Sequence, residues 1–190
     1  TTRCADCCHA LFDLSLVEAI YIKEKFDERF SGAEKHVILE KANRADRKTY
    51  RIKKDAAKER NEGVSEVEIL GRMSMERVRC PLLGEDETCQ LYEFRPLTCR
   101  LYGIPTSSNG VSHTCGKSAF AQGKPYPTVN MDALYEKLYQ VSKEMVDAME
   151  TRYTRMAEML IPLSMALLTD FNEEYLGIVS ETSSTEEDKG

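Results

Sequence analysis

Residues 80–102 read Cys80-Pro81-Leu82-Leu83-Gly84-Glu85-Asp86-Glu87-Thr88-Cys89-Gln90-Leu91-Tyr92-Glu93-Phe94-Arg95-Pro96-Leu97-Thr98-Cys99-Arg100-Leu101-Tyr102. Neither a helical nor a strand period runs through this stretch, and prolines and an acidic turn interrupt it. The wider segment 79–127 holds four of the seven cysteines, five of the six prolines and five of the ten glycines. A loop-rich run of that length inside a compact domain needs something to hold it together. Ligation of a metal by Cys80, Cys89, Cys99 and Cys115 is a sufficient explanation. The prolines beside these residues lower the entropy cost of ordering the loop.

The remaining cysteines lie at the other end of the chain, as Cys4-x2-Cys7-Cys8 within TTRCADCCH. A Cys-x-x-Cys turn directs two sulfurs to one ion. Adjacent side chains tend to diverge, so Cys7 and Cys8 are expected to serve different centres, or one of them to pack as a hydrophobe. Thiolates are soft ligands, suited to tetrahedral Zn²⁺ or to iron–sulfur clusters and poorly suited to Mg²⁺ or Ca²⁺. The candidate metal ligands are therefore Cys4, Cys7, Cys8, Cys80, Cys89, Cys99 and Cys115. His9 and His113 are alternative donors for a Cys₃His site, and His36 is expected to be solvated. Arg95 and Arg100 flank the Pro96–Cys99 turn. They either stabilise nearby thiolates or pair with Glu93, Glu85 or Asp86.

Seven is an odd number, and no cysteine occurs between Cys8 and Cys80. Both facts argue against a secreted disulfide framework. The opening Thr-Thr-Arg has no signal-peptide character, so a cytoplasmic setting is expected. The 190-residue chain is 42% hydrophobic and 31% charged, a globular balance. Its most apolar stretch, 159–168, is too short to cross a bilayer. The net charge of −6 disfavours a dedicated nucleic-acid binder.

The block Cys80-Pro81-Leu82-Leu83, followed by Cys89-Gln90-Leu91-Tyr92 and Arg95-Pro96-Leu97-Thr98-Cys99-Arg100, resembles the core of the CxxCxxCC family. This family is also called the YkgJ-type cysteine-cluster proteins, and is described as a zinc- or iron-chelating domain. Cys4, Cys7 and Cys8 fit the end of its first block, and Cys115 fits a later, less regular cysteine. The resemblance spans about residues 4–115 and implies metal binding. The family's first block carries one more cysteine, which would fall just before Thr1. With it, the expected set is eight.

Helices are expected on either side of the cysteine segments. Leu14, Val17, Ile20, Tyr21, Phe26 and Phe30 recur at helical spacing behind Asp13 or Ser15 as cap. Residues 33–61 read as a long charged helical arm without Pro or Gly. Between Lys41 and Arg60 nine cations face three acids, a net +6 that leaves −12 on the rest of the chain. That surface is either a solvated face or a docking site for an acidic protein partner. Ser65 and Glu68 form a capping-box pattern for a helix to about Met75. Met131 to Leu160 repeat at three- and four-residue steps behind Asn130, which predicts one long amphipathic helix over 130–160. A short final helix is expected over 163–171.

The expected fold is mostly α, with long helices flanking a loop-rich cysteine lobe and little or no sheet. Residues 1–127 form the metal-binding domain, 128–178 a C-terminal helical segment packing on it, and 179–190 a disordered acidic tail. Three functions are compatible with these residues. The first is a metal-binding protein holding an iron–sulfur cluster, or zinc, for redox or cluster handling. The second is a zinc-stabilised protein-interaction module without catalysis. The third is a metal-dependent enzyme with an open coordination position. No acid/base pair, phosphate loop or nucleophilic triad supports the third.

Overall fold

Ser15 is the point from which the core is organised. Its main-chain N–H and hydroxyl both donate to the Glu18 carboxylate, at 3.4 and 3.1 Å, which fixes the entry to α1 (Leu16–Arg29). In the computed structural model, residues 4–121 and 123–178 are described. The tail expected over 179–190 lies outside the described residues. Immediately before α1, strand β1 (Asp13–Ser15) extends the chain. Leu16, Ala19, Ile22 and Phe26 follow at helical spacing and are almost fully buried.

The charged arm is helix α2, Gly32–Asn61, about 45 Å long at 1.5 Å per residue. Only Ile38, Ala42, Ala45 and Thr49 are buried along it. These mostly small side chains admit a close neighbour. That neighbour is α6 (Leu163–Leu168), which contributes Leu163, Ala166 and Leu167 to the core that α1 shares. The α2 turn closes at Gly63, whose φ of +86° suits glycine. Helix α3 (Glu66–Met75) follows, and Ser65 accepts from the Glu68 N–H as its cap.

Two small sheets are present, against the expectation of little or none. Strands β2 (Thr106–Ser108) and β3 (Val111–His113) form a hairpin through Asn109–Gly110, both at positive φ. An Asn-Gly pair of this kind matches the twist of an antiparallel ribbon. Strand β4 (Val129–Asn130) adds to β2 in parallel. The second sheet pairs β1 with β5 (Leu160–Pro162), placing Leu14 opposite Ile161. The overall composition is nonetheless mostly α, with α4 (Leu97–Leu101), α5 (Met131–Met149) and α7 (Glu173–Leu176) completing the set.

The helix expected over 130–160 stops at Met149. Asn130 caps α5 as anticipated, accepting from Ala133 N–H at 3.1 Å. Glu150 then adopts a left-handed conformation with φ +50° and turns the chain. Arg152 N–H donates to Gly177 O at 3.0 Å, holding this turn against the end of α7. Met156 is buried in a separate 3₁₀ turn, and Leu160 begins β5. Helix α5 is fastened to α1 by Ser142. Its fully buried hydroxyl accepts from Val17 N–H at 3.3 Å, one of the donors that a helix start leaves unpaired. Residues 163–171 form α6 and then an extended link, shorter than the single helix expected there.

Candidate metal centre

Two main-chain hydrogen bonds bring the separated cysteine blocks together. Val78 N–H donates to His9 O at 2.9 Å and Cys80 N–H to Cys8 O at 2.7 Å. The N-terminal loop is thereby laid along the start of the Cys80 segment. From Cys80 the chain makes a tight reversal, with Gln90 N–H to Leu82 O and Gly84 N–H to Thr88 O both at 2.9 Å. Leu83 and Cys89 face each other across it. Arg79 secures the reversal by donating to Glu87 at 2.7 Å and to Gly84 O at 2.9 Å. That role was not read from the sequence, because it depends on the fold-back of Glu87.

Cys99 is carried by α4, which follows Pro96. The Leu97 N–H donates to Glu18 Oε1 at 2.9 Å, so one carboxylate organises the starts of both α1 and α4. Arg100 donates to the Arg95 and Glu93 carbonyls, clamping the turn that leads into Cys99. Its bond to Glu93 goes to the main-chain carbonyl, so neither the expected ion pair with Glu93 nor a contact with a thiolate is its role among the described residues. Arg95 is different. Its Nε donates to Tyr92 O at 3.0 Å, its guanidinium stacks 3.6 Å from the Tyr92 ring centroid, and its charge favours the ionised forms of Cys7, Cys89 and Cys99.

Six of the seven cysteines, Cys4, Cys7, Cys8, Cys80, Cys89 and Cys99, line one cavity of about 430 Å³. Its inner wall is apolar and reaches the core at Ile22 and Leu163. Cys7 and Cys8 do not diverge. The 3₁₀ turn Asp6–His9 puts their sulfurs 3.9 Å apart, both at this cavity. Cys115 stands elsewhere, in a second cleft with His113, Tyr102 and Met131. His9 Nδ1 donates to Ala5 O at 3.1 Å, and His9 lines neither of these two spaces. His36 is exposed beside Glu40.

Asp6 ties the first loop to three other segments. Its carboxylate accepts from Arg77 at 2.6 Å, Lys117 at 2.9 Å and the Tyr102 hydroxyl at 3.3 Å. The Lys117 hydrogen bond is the chief cause that holds the Asp6 carboxyl below its ordinary range. The hub also brings the Cys115 turn to the outer side of the Cys4–Cys8 loop.

The electrostatics of the cavity suit a cation. Burial pushes the Cys80 thiol up to about 12, and burial also raises Cys99 and Cys89. The charges of neighbouring sulfurs add to the shift at Cys99 and Cys80. Cys7 and Cys8 share a hydrogen bond that lowers Cys7 and raises Cys8. Main-chain N–H groups oppose this trend. Those of Leu82 and Leu83 reach the Cys80 sulfur, that of Leu91 reaches Cys89, and Lys117 N–H lies 3.4 Å from Cys115 Sγ. The thiolates gathered here would repel one another, and a thiophilic ion would relieve that repulsion while main-chain donors already aimed at sulfur orient them. Among the described residues no three His, Cys, Asp or Glu side chains already converge as around a single ion. The donor chemistry therefore fits a metal, and the sulfurs are gathered but not closed.

The CxxCxxCC family model, whose description reads "Putative zinc- or iron-chelating domain", matches residues 1–116. No curated protein and no solved structure matches this chain. The match contains both cysteine blocks and the reversal between Cys80 and Cys89, while Pro162, Leu163 and Ser164, which close the inner side of the shared cavity, lie beyond it. The chain belongs to the CxxCxxCC family of zinc- or iron-chelating domains.

Proposed function

We propose that Cys4, Cys7, Cys8, Cys80, Cys89 and Cys99 hold the metal, with an iron–sulfur cluster preferred over zinc. The observation that carries this reading is the gathering of six thiols, from three separate segments, around one partly apolar cavity. An iron–sulfur cluster supplies one-electron redox chemistry when bound, and zinc supplies a structural cross-link. The apolar wall limits water at the sulfurs. Arg95 offsets part of the thiolate charge, and the Leu82, Leu83 and Leu91 N–H groups orient the ligands. A redox or cluster-handling role follows from the preference for iron and sulfur. All seven cysteines are free, which suits a reducing compartment such as the cytoplasm. No helix among the described residues is long and apolar enough to cross a membrane.

A second reading is a zinc-stabilised interaction module. It is favoured by the scarcity of regular structure between Cys80 and Cys99, where a metal would add to the turn hydrogen bonds in holding the loops. Purification without oxygen, followed by elemental analysis and a visible spectrum, separates the two. A brown protein absorbing broadly near 400 nm and bleached by dithionite supports the cluster, where ~400 nm marks sulfur-to-iron charge transfer. A colourless protein with stoichiometric zinc supports the module. Protein without stoichiometric metal, never exposed to oxygen or chelator, refutes both.

A further inference from the structure

The nine cations between Lys41 and Arg60 are not equivalent once the chain is folded. Lys41 donates to Glu85 at 2.8 Å, Lys48 to Arg77 O at 2.5 Å, and Lys53 to Asp13 at 2.6 Å. These three fasten α2 to the cysteine lobe and to β1. Lys58 lies 3.7 Å from Glu62, and Arg60 is exposed in the last turn of the helix, on a different side from the remaining four. Arg44, Arg47, Arg51 and Lys54 are exposed, and none makes an ion pair or side-chain hydrogen bond among the described residues. Asp55 borders them without pairing to them.

These four residues follow one another at steps of three or four. On an α-helix they occupy an arc of about 80° and succeed each other every ~4.5–6 Å. The arc lies roughly opposite the buried line Ile38, Ala42, Ala45, Thr49, so packing against α6 holds it toward solvent. Like charges at these spacings repel and weaken the helix that carries them. Glu40, four residues before Arg44, and Asp55, four after Arg51, offset that repulsion only in part, and four cations against these two acids leave the face positive.

The geometry points to this stripe as a docking surface for an acidic helical segment of another protein. The charge is complementary, and carboxylates placed at three- and four-residue steps on a partner helix repeat at the same intervals as the cations. Duplex nucleic acid is a poorer fit because the chain as a whole is acidic and the stripe is straight and narrow. This surface lies outside the cavity, and its occupancy is independent of which metal the thiols hold.

The test uses the full chain, as purified with its metal, and a synthetic helical peptide carrying glutamate along one face. Binding is followed by fluorescence anisotropy at several salt concentrations. The stripe is neutralised with R44Q/R47Q/R51Q/K54Q, substitutions that keep helix propensity. The control K124Q/K137Q/R152Q/R155Q removes the same charge from exposed positions elsewhere. The expected result is binding that weakens with salt, falls at least about tenfold in the stripe variant and stays within about twofold in the control. Equal loss in both variants, or tighter binding to a DNA duplex than to the peptide at the same salt, overturns the proposal. So does a marked gain in peptide affinity on deleting 179–190, which would assign the stripe to the chain's own acidic end. Unchanged circular dichroism in the stripe variant separates loss of binding from loss of folding.

Discussion

Replacing Cys80 with serine and, separately, Cys115 with serine should affect metal retention very differently. Cys80 lines the shared cavity, and its N–H is bonded to Cys8 O at 2.7 Å, so its sulfur is anchored beside the first cysteine block. Cys115 lines a different cleft. Structural zinc sites bind with about 10–16 kcal/mol near neutral pH, or about 2.5–4 kcal/mol for each of four ligands. Loss of one thiolate should therefore raise the metal Kd by a factor of about 10²–10³. Serine preserves size and offers a poor ligand for a soft ion. Cys80→Ser should show that full factor. Cys115→Ser should change Kd by about threefold or less, the effect of a substitution away from the centre. The assay is competition with a colorimetric chelator, under anaerobic conditions, on both variants and the parent protein. Circular dichroism confirms that the helices survive. Equal losses in the two variants would refute the separation of Cys115 from the other six. Retention of metal by Cys80→Ser would refute the cavity as its location.

Two further outcomes follow from the same geometry. Burial holds the Cys80 thiol protonated up to about pH 12, whereas an unfolded thiol ionises near ~8.5. Metal-free protein should therefore lose stability as pH rises from about 9 to about 12, by at most about 5 kcal/mol from this group. Metal-loaded protein should show the opposite dependence and weaken in acid, as its thiolates take up protons. Urea midpoints near neutral pH and above pH 10, with and without metal, check both signs, and an apo midpoint that rises with pH would contradict the burial argument. Asp6→Ala removes the acceptor shared by Arg77, Lys117 and Tyr102. Limited proteolysis should then cut residues 4–9 and 113–118 several-fold faster than in the parent, while unchanged cleavage would show that Asp6 is not what joins these segments.

The sequence alone carried the chemistry and most helix starts. Soft thiols in two blocks pointed to metal because their identity and spacing are local facts. The caps at Ser15, Ser65 and Asn130 were legible for the same reason, since a cap and its hydrogen-bond partner lie within three residues. The Asn109–Gly110 hairpin was also legible, but the surrounding prolines and glycines favoured a uniform loop reading. The end of α5 was not. The apolar period continues through Met156 because that residue is buried too, from a separate 3₁₀ turn, and periodicity reports burial rather than a continuous helix.

The remaining decisions needed the tertiary structure. Cys7 and Cys8 reach one cavity because the chain folds back so that the Asp6–His9 turn lies against the Cys80 segment, and Cys80 joins them through a hydrogen bond spanning the whole of α1, α2 and α3. Cys115 has the same residue type and lies within the family match, yet the β2–β3 hairpin carries it to another cleft. The basic helix likewise counted nine equal cations in sequence. Folding paired Lys41, Lys48 and Lys53 with partners at distances of 2.5–2.8 Å and left Arg44, Arg47, Arg51 and Lys54 facing solvent. Residue type and local spacing determine what a side chain can do; which side chains meet depends on contacts between residues far apart in the chain, and those are settled only when the core closes.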